Sequence, residues 1–326
     1  MHSRPKDLLR NSIVTPSLEA AILNGKYVNS IPLYRMEQEF QRNGVFISRQ
    51  NMADWTILCA QRYLYPLYER MKEELLSCHV IQCDETSVEV VNDGRGAGAQ
   101  SYMWVHRSGE YYKDRQVVLY EYQKTRAHAR RDFSDAVKAM ADPETAKQST
   151  AYQALLRISS IYKLDESLKA LSARERLRER QKSVKPLVDE YFAWVKSMLA
   201  SQLPKSKTTE GLRYSINQEK YLRVFLEDDE VPIDNSASER SIRTFCIGKK
   251  NWVLIDSIKG AQASAVIYSI SETAKLNNLN TYNYFCHLLT ELPKLAGKNG
   301  NIDIKMLDPL LPWADALPEK CHRPRR

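Results

Sequence analysis

A carboxylate set among cations is the strongest chemical signal in this chain. Glu239 stands in Ile233-Asp234-Asn235-Ser236-Ala237-Ser238-Glu239-Arg240-Ser241-Ile242-Arg243, and the basic run Gly248-Lys249-Lys250-Asn251-Trp252 follows. An acid that merely balances charge does not need so many cations beside it. One that holds a divalent metal against a nucleic-acid backbone does, because phosphates must be drawn in while the metal stays in place. A second acid, Asp84, ends an apolar run far upstream, Val80-Ile81-Gln82-Cys83-Asp84-Glu85-Thr86. A sheet can hold such a carboxylate rigidly at a cleft. The pair points to phosphoryl transfer on DNA, with Asp84 and Glu239 as catalytic, metal-holding acids and Arg240, Arg243, Lys249 and Lys250 on the phosphates. Plainer readings stand beside it. Ser236-Ala237-Ser238-Glu239 fits a capping box, in which Ser236 caps a helix and Glu239 reaches back to its amide. Asp234 suits either a further metal ligand or a negative charge before a helix start, and Asp84 suits a strand end facing solvent. A capping box does not account for the cations. Glu85 and Glu89 fall on the other side of the pleat or farther along it.

Hydropathy and turn signals divide the chain that must position these groups. Residues 1–77 read as helical. Ser17 to Asn24 forms a short helix capped by Ser17, and Pro32 to Arg42 carries Leu33, Met36, Glu37 and Phe40 at helical spacing before Asn43-Gly44 ends it. Ser48 then caps a helix headed by Arg49 and Gln50, and a long amphipathic helix leads on from about Ala53 to Ser77. Helix, glycine turn and polar-headed helix make a helix-turn-helix pattern in which Arg49 and Gln50 would meet DNA; any αα-hairpin shares it.

Residues 78–132 are strand-rich, with runs from Val80 to Val91, Ser101 to His106 and Gln116 to Tyr122. Gly94-x-Gly96-x-Gly98 reads as a hairpin turn and not a phosphate loop, since no helix follows it. Three successive strands with an acid on the first are how a ribonuclease-H-like sheet begins. Residues 133–230 turn helical and polar, with Leu203 to Gly211 as a flexible connection. The interleaved signs of Ala173 to Arg180 mark a solvated helix face. Residues 231–285 return to the acid-bearing core; Leu276 to Leu292 reads as a helix, and 286–326 close with the end of that helix and a loosely ordered tail.

A length of 326 residues allows two or three domains, and 43% hydrophobic with 27% charged residues is ordinary for a globular protein. The net charge of +8 favours an anionic partner. Cys59, Cys78, Cys83, Cys246, Cys286 and Cys321 include no C-x-x-C pair, so they read as reduced thiols, and Cys78 and Cys83 as core. No apolar stretch reaches membrane-spanning length and the start lacks a signal-peptide core, which implies a cytoplasmic protein with no membrane partner.

Seven motifs in order carry a resemblance. They are Asn24-Gly25-Lys26-Tyr27-Val28-Asn29-Ser30-Ile31-Pro32-Leu33-Tyr34, Ile47-Ser48-Arg49-Gln50-Asn51-Met52-Ala53-Asp54-Trp55, Cys83-Asp84-Glu85-Thr86, Ala127-His128-Ala129-Arg130-Arg131, Asp234-Asn235-Ser236-Ala237-Ser238-Glu239-Arg240, Gly248-Lys249-Lys250-Asn251-Trp252 and Glu272-Thr273-Ala274-Lys275-Leu276-Asn277. In this order, from near residue 10 to Pro312-Trp313, the chain resembles bacterial transposases of the insertion-sequence sixty-six family. The resemblance implies an α/β (α+β) fold: a ribonuclease-H-like core with an α-helical insertion, preceded by the helix-turn-helix-like region. It implies an Asp-Asp-Glu site with Asp84 as first acid and Glu239 as last, and Mg²⁺ or Mn²⁺ as cofactor. DNA, as element ends and as target, would be the partner of a homo-oligomer, alongside accessory proteins encoded by the element.

The departures from the family pattern are as informative. Family members place a middle aspartate on a fourth strand, followed by a Cys-Trp-Ala-His-x-Arg-Arg run. Here Tyr122-Gln123-Lys124-Thr125-Arg126 passes straight to Ala127-His128-Ala129-Arg130-Arg131, so that strand and its aspartate are missing. The zinc-binding cysteines and upstream helices of the family are not seen before residue 10 either. Asp114, Asp132 and Asp135 are poor substitutes, because they lie in a turn or past a helix start. The expectation is a transposase impaired in strand cleavage, with His128, Arg130 and Arg131 still available to phosphate. The alternative is a non-catalytic DNA-binding remnant that regulates transposition by occupying ends or poisoning intact subunits.

Overall fold

The computed structural model describes residues 8–96, 98–124, 149–199, 206–297 and 300–324. The chain divides into two compact units, residues 1–126 with 235–326, and residues 127–234. Among the described residues no helix is long and apolar enough to cross a membrane.

The first unit is a mixed α/β body around a four-stranded sheet. Strands β1 (Ile81–Asn92), β2 (Gln100–Ser108), β3 (Val118–Gln123) and β4 (Ile255–Ser257) lie in the order β3-β2-β1-β4. The first three are antiparallel neighbours, whereas β4 runs parallel to β1 at its far end, pairing Val90 with Ile255. Asp84 stands opposite Val105, and Val105 opposite Tyr120, so these three share one face. The same face carries Gln82, Thr86 and Val88 with Arg107, Met103 and Ser101, and it is the buried one. Gly94 and Gly98, both near φ +83°, turn the hairpin between β1 and β2 as expected of a turn.

Helices α1 (Pro16–Leu23), α2 (Leu33–Arg42), α3 (Arg49–Cys59) and α4 (Tyr65–Leu76) precede the sheet. Ser48 caps α3 as expected, its hydroxyl accepting the Asn51 N–H at 3.1 Å. Thr15, and not Ser17, caps α1. The long helix expected from Ala53 is a rod interrupted by a π turn, Ala60–Leu64. That turn falls just before Pro66, which has no N–H for the Arg62 carbonyl, and the wider spacing accommodates the loss.

Two further helices, α10 (Ile258–Leu276) and α11 (Thr281–Leu295), correct the expectation of one helix starting at Leu276. Asn278, at φ +58°, breaks the chain between them. Helix α10 lies along β3 and covers its outer edge. Ser269 Oγ accepts the Tyr120 N–H at 2.7 Å, while Thr273 Oγ1 accepts the Val118 N–H and donates to the Val118 carbonyl. An edge strand bonded this way offers little to a stray chain. The tail is packed, contrary to expectation, with Leu307, Leu310, Leu317 and Cys321 buried and the Tyr284 hydroxyl donating to the Leu310 carbonyl at 2.6 Å.

The second unit contains α5 (Thr150–Ser167), α6 (Ala173–Glu179), α7 (Lys185–Leu199) and α8 (Lys207–Leu222). The flexible connection expected up to Gly211 is helical from Lys207, because Ser206 caps α8 and Gly211 is buried. The basic run at α6 is split by burial: Arg174 and Arg178 face solvent, Arg176 and Arg180 do not. Arg180 and Asp165 form a fully buried bidentate pair at 2.7 and 3.0 Å, and Arg180 also donates to the Phe225 and Val231 carbonyls. Each nitrogen of that guanidinium donates to an oxygen, which is what makes a buried charge tolerable. Asp165→Asn or Arg180→Met should each destabilise this unit by roughly 3–5 kcal/mol through the uncompensated partner. Urea unfolding followed by Trp194 fluorescence measures this.

A second buried charge sits in the first unit. Glu19 on α1 is wholly buried; its Oε1 accepts from Thr56 at 3.1 Å, and Oε2 has no partner among the described residues. Burial pushes its carboxyl up to about 8, only partly opposed by Thr56. The folded state therefore binds a proton that the unfolded chain has released, so stability should fall as pH rises from about 4.5 to about 8. The slope approaches ~1.4 kcal/mol per pH unit, and Glu19→Gln should flatten it in denaturant titrations at several pH values.

Candidate functional site

Helix α9 (Ser236–Trp252) brings the second acid to the strand that carries the first. Two side chains tie it to the free side of β1. Asn235 Nδ2 donates to the Cys83 carbonyl at 2.5 Å, and Lys249 Nζ to the Ser87 carbonyl at 2.5 Å. These contacts bracket Asp84, whose Oδ1 accepts the Glu85 N–H at 2.9 Å. Asn235, Glu239, Ile242, Cys246 and Lys249 follow one another at helical spacing, so Glu239 belongs to the stripe that meets β1. It lies one turn along the helix from Asn235. Two further bonds come from the face that carries Asp84: Arg107 Nη1 donates to the Ala237 carbonyl at 3.2 Å, and the Tyr120 hydroxyl to the Ser241 carbonyl at 2.6 Å.

The expected capping box is not formed. Asn235 is the N-cap: its carbonyl accepts the Glu239 N–H at 3.0 Å while its amide serves Cys83. The Glu239 carboxylate is left exposed, with no hydrogen bond or ion pair among the described residues. Among the described residues, no three His, Cys, Asp or Glu side chains group as a metal centre.

The cations of this region differ in use. Lys249 is half-buried on Ser87, Arg240 is exposed but pairs with Glu110 at 3.3 Å, and Arg243 and Lys250 are exposed. Gly248, between them and the core, has the Tyr268 hydroxyl so close over its Cα that no side chain fits. In the helical hairpin, Arg49 and Gln50 are both exposed at the head of α3. The Arg49 guanidinium lies 5.6 Å from the Tyr34 ring centre, and Gln50 donates to Asp54. Asp114 is exposed. His128, Arg130, Arg131, Asp132 and Asp135 lie outside the described residues.

Three residues were not singled out by sequence reasoning. Asn235 and Arg107 hold the head of α9, and burial together with nearby Arg240 pushes the Arg107 guanidinium down. Its place in the alternation of Ser101, Met103, Val105 and Arg107, an arginine at an inward position, was the available signal. His106 faces Cys83 across the strands with Nδ1 3.0 Å from Sγ and Nε2 3.5 Å from Glu121. Cys83 is thus an exposed thiol at the sheet's outer face and not a core residue, since its odd position on β1 points away from Asp84.

Comparison with known proteins adds relatives at low identity. The uncharacterized protein y4jD of Sinorhizobium fredii is 24% identical over 357 residues, taking in 95% of this chain and 68% of its own length. The uncharacterized proteins y4hP and y4qI of the same organism are each 23% identical, and the chain spans 63% and 64% of their lengths. An alignment of 357 positions is longer than the 326 residues of this chain, so y4jD carries residues with no counterpart here. No solved structure matches. The pattern of the family described as "Transposase IS66 family" matches in two blocks, residues 11–127 and 126–263, which meet where strand β3 has just ended. With most of its length so matched, this chain belongs to the IS66 transposase family.

Proposed function

We propose that this chain is an insertion-sequence transposase homologue that binds the ends of its element without cleaving them. The break in the family match at residues 126–127 carries the reading. By resemblance, that is where a fourth strand would deliver the middle aspartate. Asp84 and Glu239 remain, on elements tied together by Asn235 and Lys249. Three antiparallel strands with the acid on the first support a ribonuclease-H-like core.

Cleavage by this class of site uses two divalent cations, one for the attacking oxygen and one for the leaving oxygen. Two carboxylates do not fit that centre: Mg²⁺ or Mn²⁺ held by Asp84 and Glu239 alone would bind weakly and lack its companion. No cleavage step is therefore assigned to this chain. Binding needs no metal. Exposed Arg49, Gln50, Arg243 and Lys250, on a chain of net charge +8, suit a duplex backbone, and holding two ends calls for a homo-oligomer. Such a protein would regulate transposition by occupying ends or by joining intact subunits, with accessory proteins of the element as further partners.

Labelled duplexes from the DNA flanking the coding sequence, incubated with purified protein and Mg²⁺ or Mn²⁺, test this. Retarded bands without nicks are expected, and Arg243→Ala should lower the slope of log affinity on log salt by about 1. Nicking that Asp84→Ala abolishes would restore the enzyme. Affinity no greater than for random duplex, at all salts, would remove the specific recognition of ends.

A further inference from the structure

Phe46 is the most exposed large hydrophobic side chain among the described residues, at 83%, and its neighbour Val45 is exposed as well. A free apolar tip is ordinarily blamed on a loose loop, but this one is fixed at both ends. On the α2 side the chain closes a Schellman motif: Gly44 takes φ +75°, the Val45 N–H donates to the Phe40 carbonyl at 2.9 Å, and the Gly44 N–H to the Gln41 carbonyl at 3.0 Å. On the α3 side Ser48 caps the helix, and Ile47 and Met52, at the staple positions of that helix, are both buried. Glu37 Oε1 reaches across the hairpin to accept the Arg49 N–H at 3.0 Å. In the short link between these anchors Ile47 is committed inward, and its neighbour Phe46 is left outward. The ring is held out by the fold and contributes little to it.

What surrounds the ring decides the partner. Arg49, Gln50 and Asn51, all exposed, form the first turn of α3 directly after it. The hairpin's acids are turned onto their own neighbours: Glu37 onto the Arg49 amide, Glu39 onto Arg42 and Asn43, Asp54 onto Gln50. The guanidinium of Arg49 stacks over Tyr34 with no carboxylate partner among the described residues. An apolar point beside arginine and amide side chains suits the base stack of duplex DNA, where donors meet base edges and phosphates while the ring meets a base face. We infer that Phe46 is a wedge that enters the stack of bound duplex DNA at the position where α3 docks. The inference rests on the DNA-binding reading above.

The probe is duplex DNA from the flanks of the coding sequence, carrying single 2-aminopurine substitutions at successive positions. Wild-type protein should raise 2-aminopurine emission at one step, reporting unstacking. Phe46→Ala should abolish the rise and weaken binding about tenfold or more, with an unchanged salt slope and an unchanged thermal transition. Phe46→Trp should retain both signals. Arg49→Ala should lower the salt slope instead. Tight binding with no emission change, or Phe46→Ala bound like wild type, overturns the wedge and leaves DNA binding intact. Failure of wild type to bind any duplex overturns both. A smaller sedimenting species for Phe46→Ala in the absence of DNA would assign the ring to a second copy of the chain and overturn the wedge as well.

Discussion

The attachment of helix α9 to strand β1 is the contact on which the first unit's arrangement depends. A strand edge leaves N–H and C=O groups without ladder partners, and leaving them bare costs free energy and invites stray pairing. Here two of those carbonyls, at Cys83 and Ser87, are taken by Asn235 and Lys249 from the helix, and the Glu85 N–H is taken by Asp84 itself. The same bonds set the helix in register with the strand. Helix α9 thereby lies beside β1, although some 150 residues separate the two in the chain.

The opposite edge of the sheet uses the same device with other residues. Ser269 and Thr273 on α10 satisfy β3 where Asn235 and Lys249 satisfy β1. Small hydroxyls suffice there because α10 is packed tightly against β3, with Ala265, Tyr268 and Ile270 buried. On the β1 side the reach must be longer, and a lysine supplies it. Between the two, Arg107 and Tyr120 fix α9 from below, so the head of the helix is held from strands β1 and β2 at once. These ties are made by the side chains of the fold itself, from two strands onto one helix.

Ser48, Asn43-Gly44 and the alternating strands announce themselves through caps, turn residues and periodicity, and the structure has them. Asp84 and Glu239 stood out because each is an acid in a setting that does not require one. Helix α10 was missed because it is buried nearly all round, which erases the amphipathic stripe that a reader follows. The capping box at Ser236 was plausible on spacing alone; it fails because the helix is capped one residue earlier, at Asn235, whose side chain is held by the Cys83 carbonyl. The tail's burial was invisible because its leucines follow no period and are called inward by the helices beneath.

Local chemistry along the chain thus determined the caps, turns, strand faces and membership of the transposase family, since each depends on neighbours a few residues away or on an ordered set of motifs. Tertiary contact decided which carbonyl Asn235 would choose, that Lys249 would face the sheet, that Arg180 would be buried on Asp165, and that Phe46 would be held in solvent. Those outcomes turn on which groups meet across long stretches of chain, where desolvation and the need to pair every buried donor outweigh local preference.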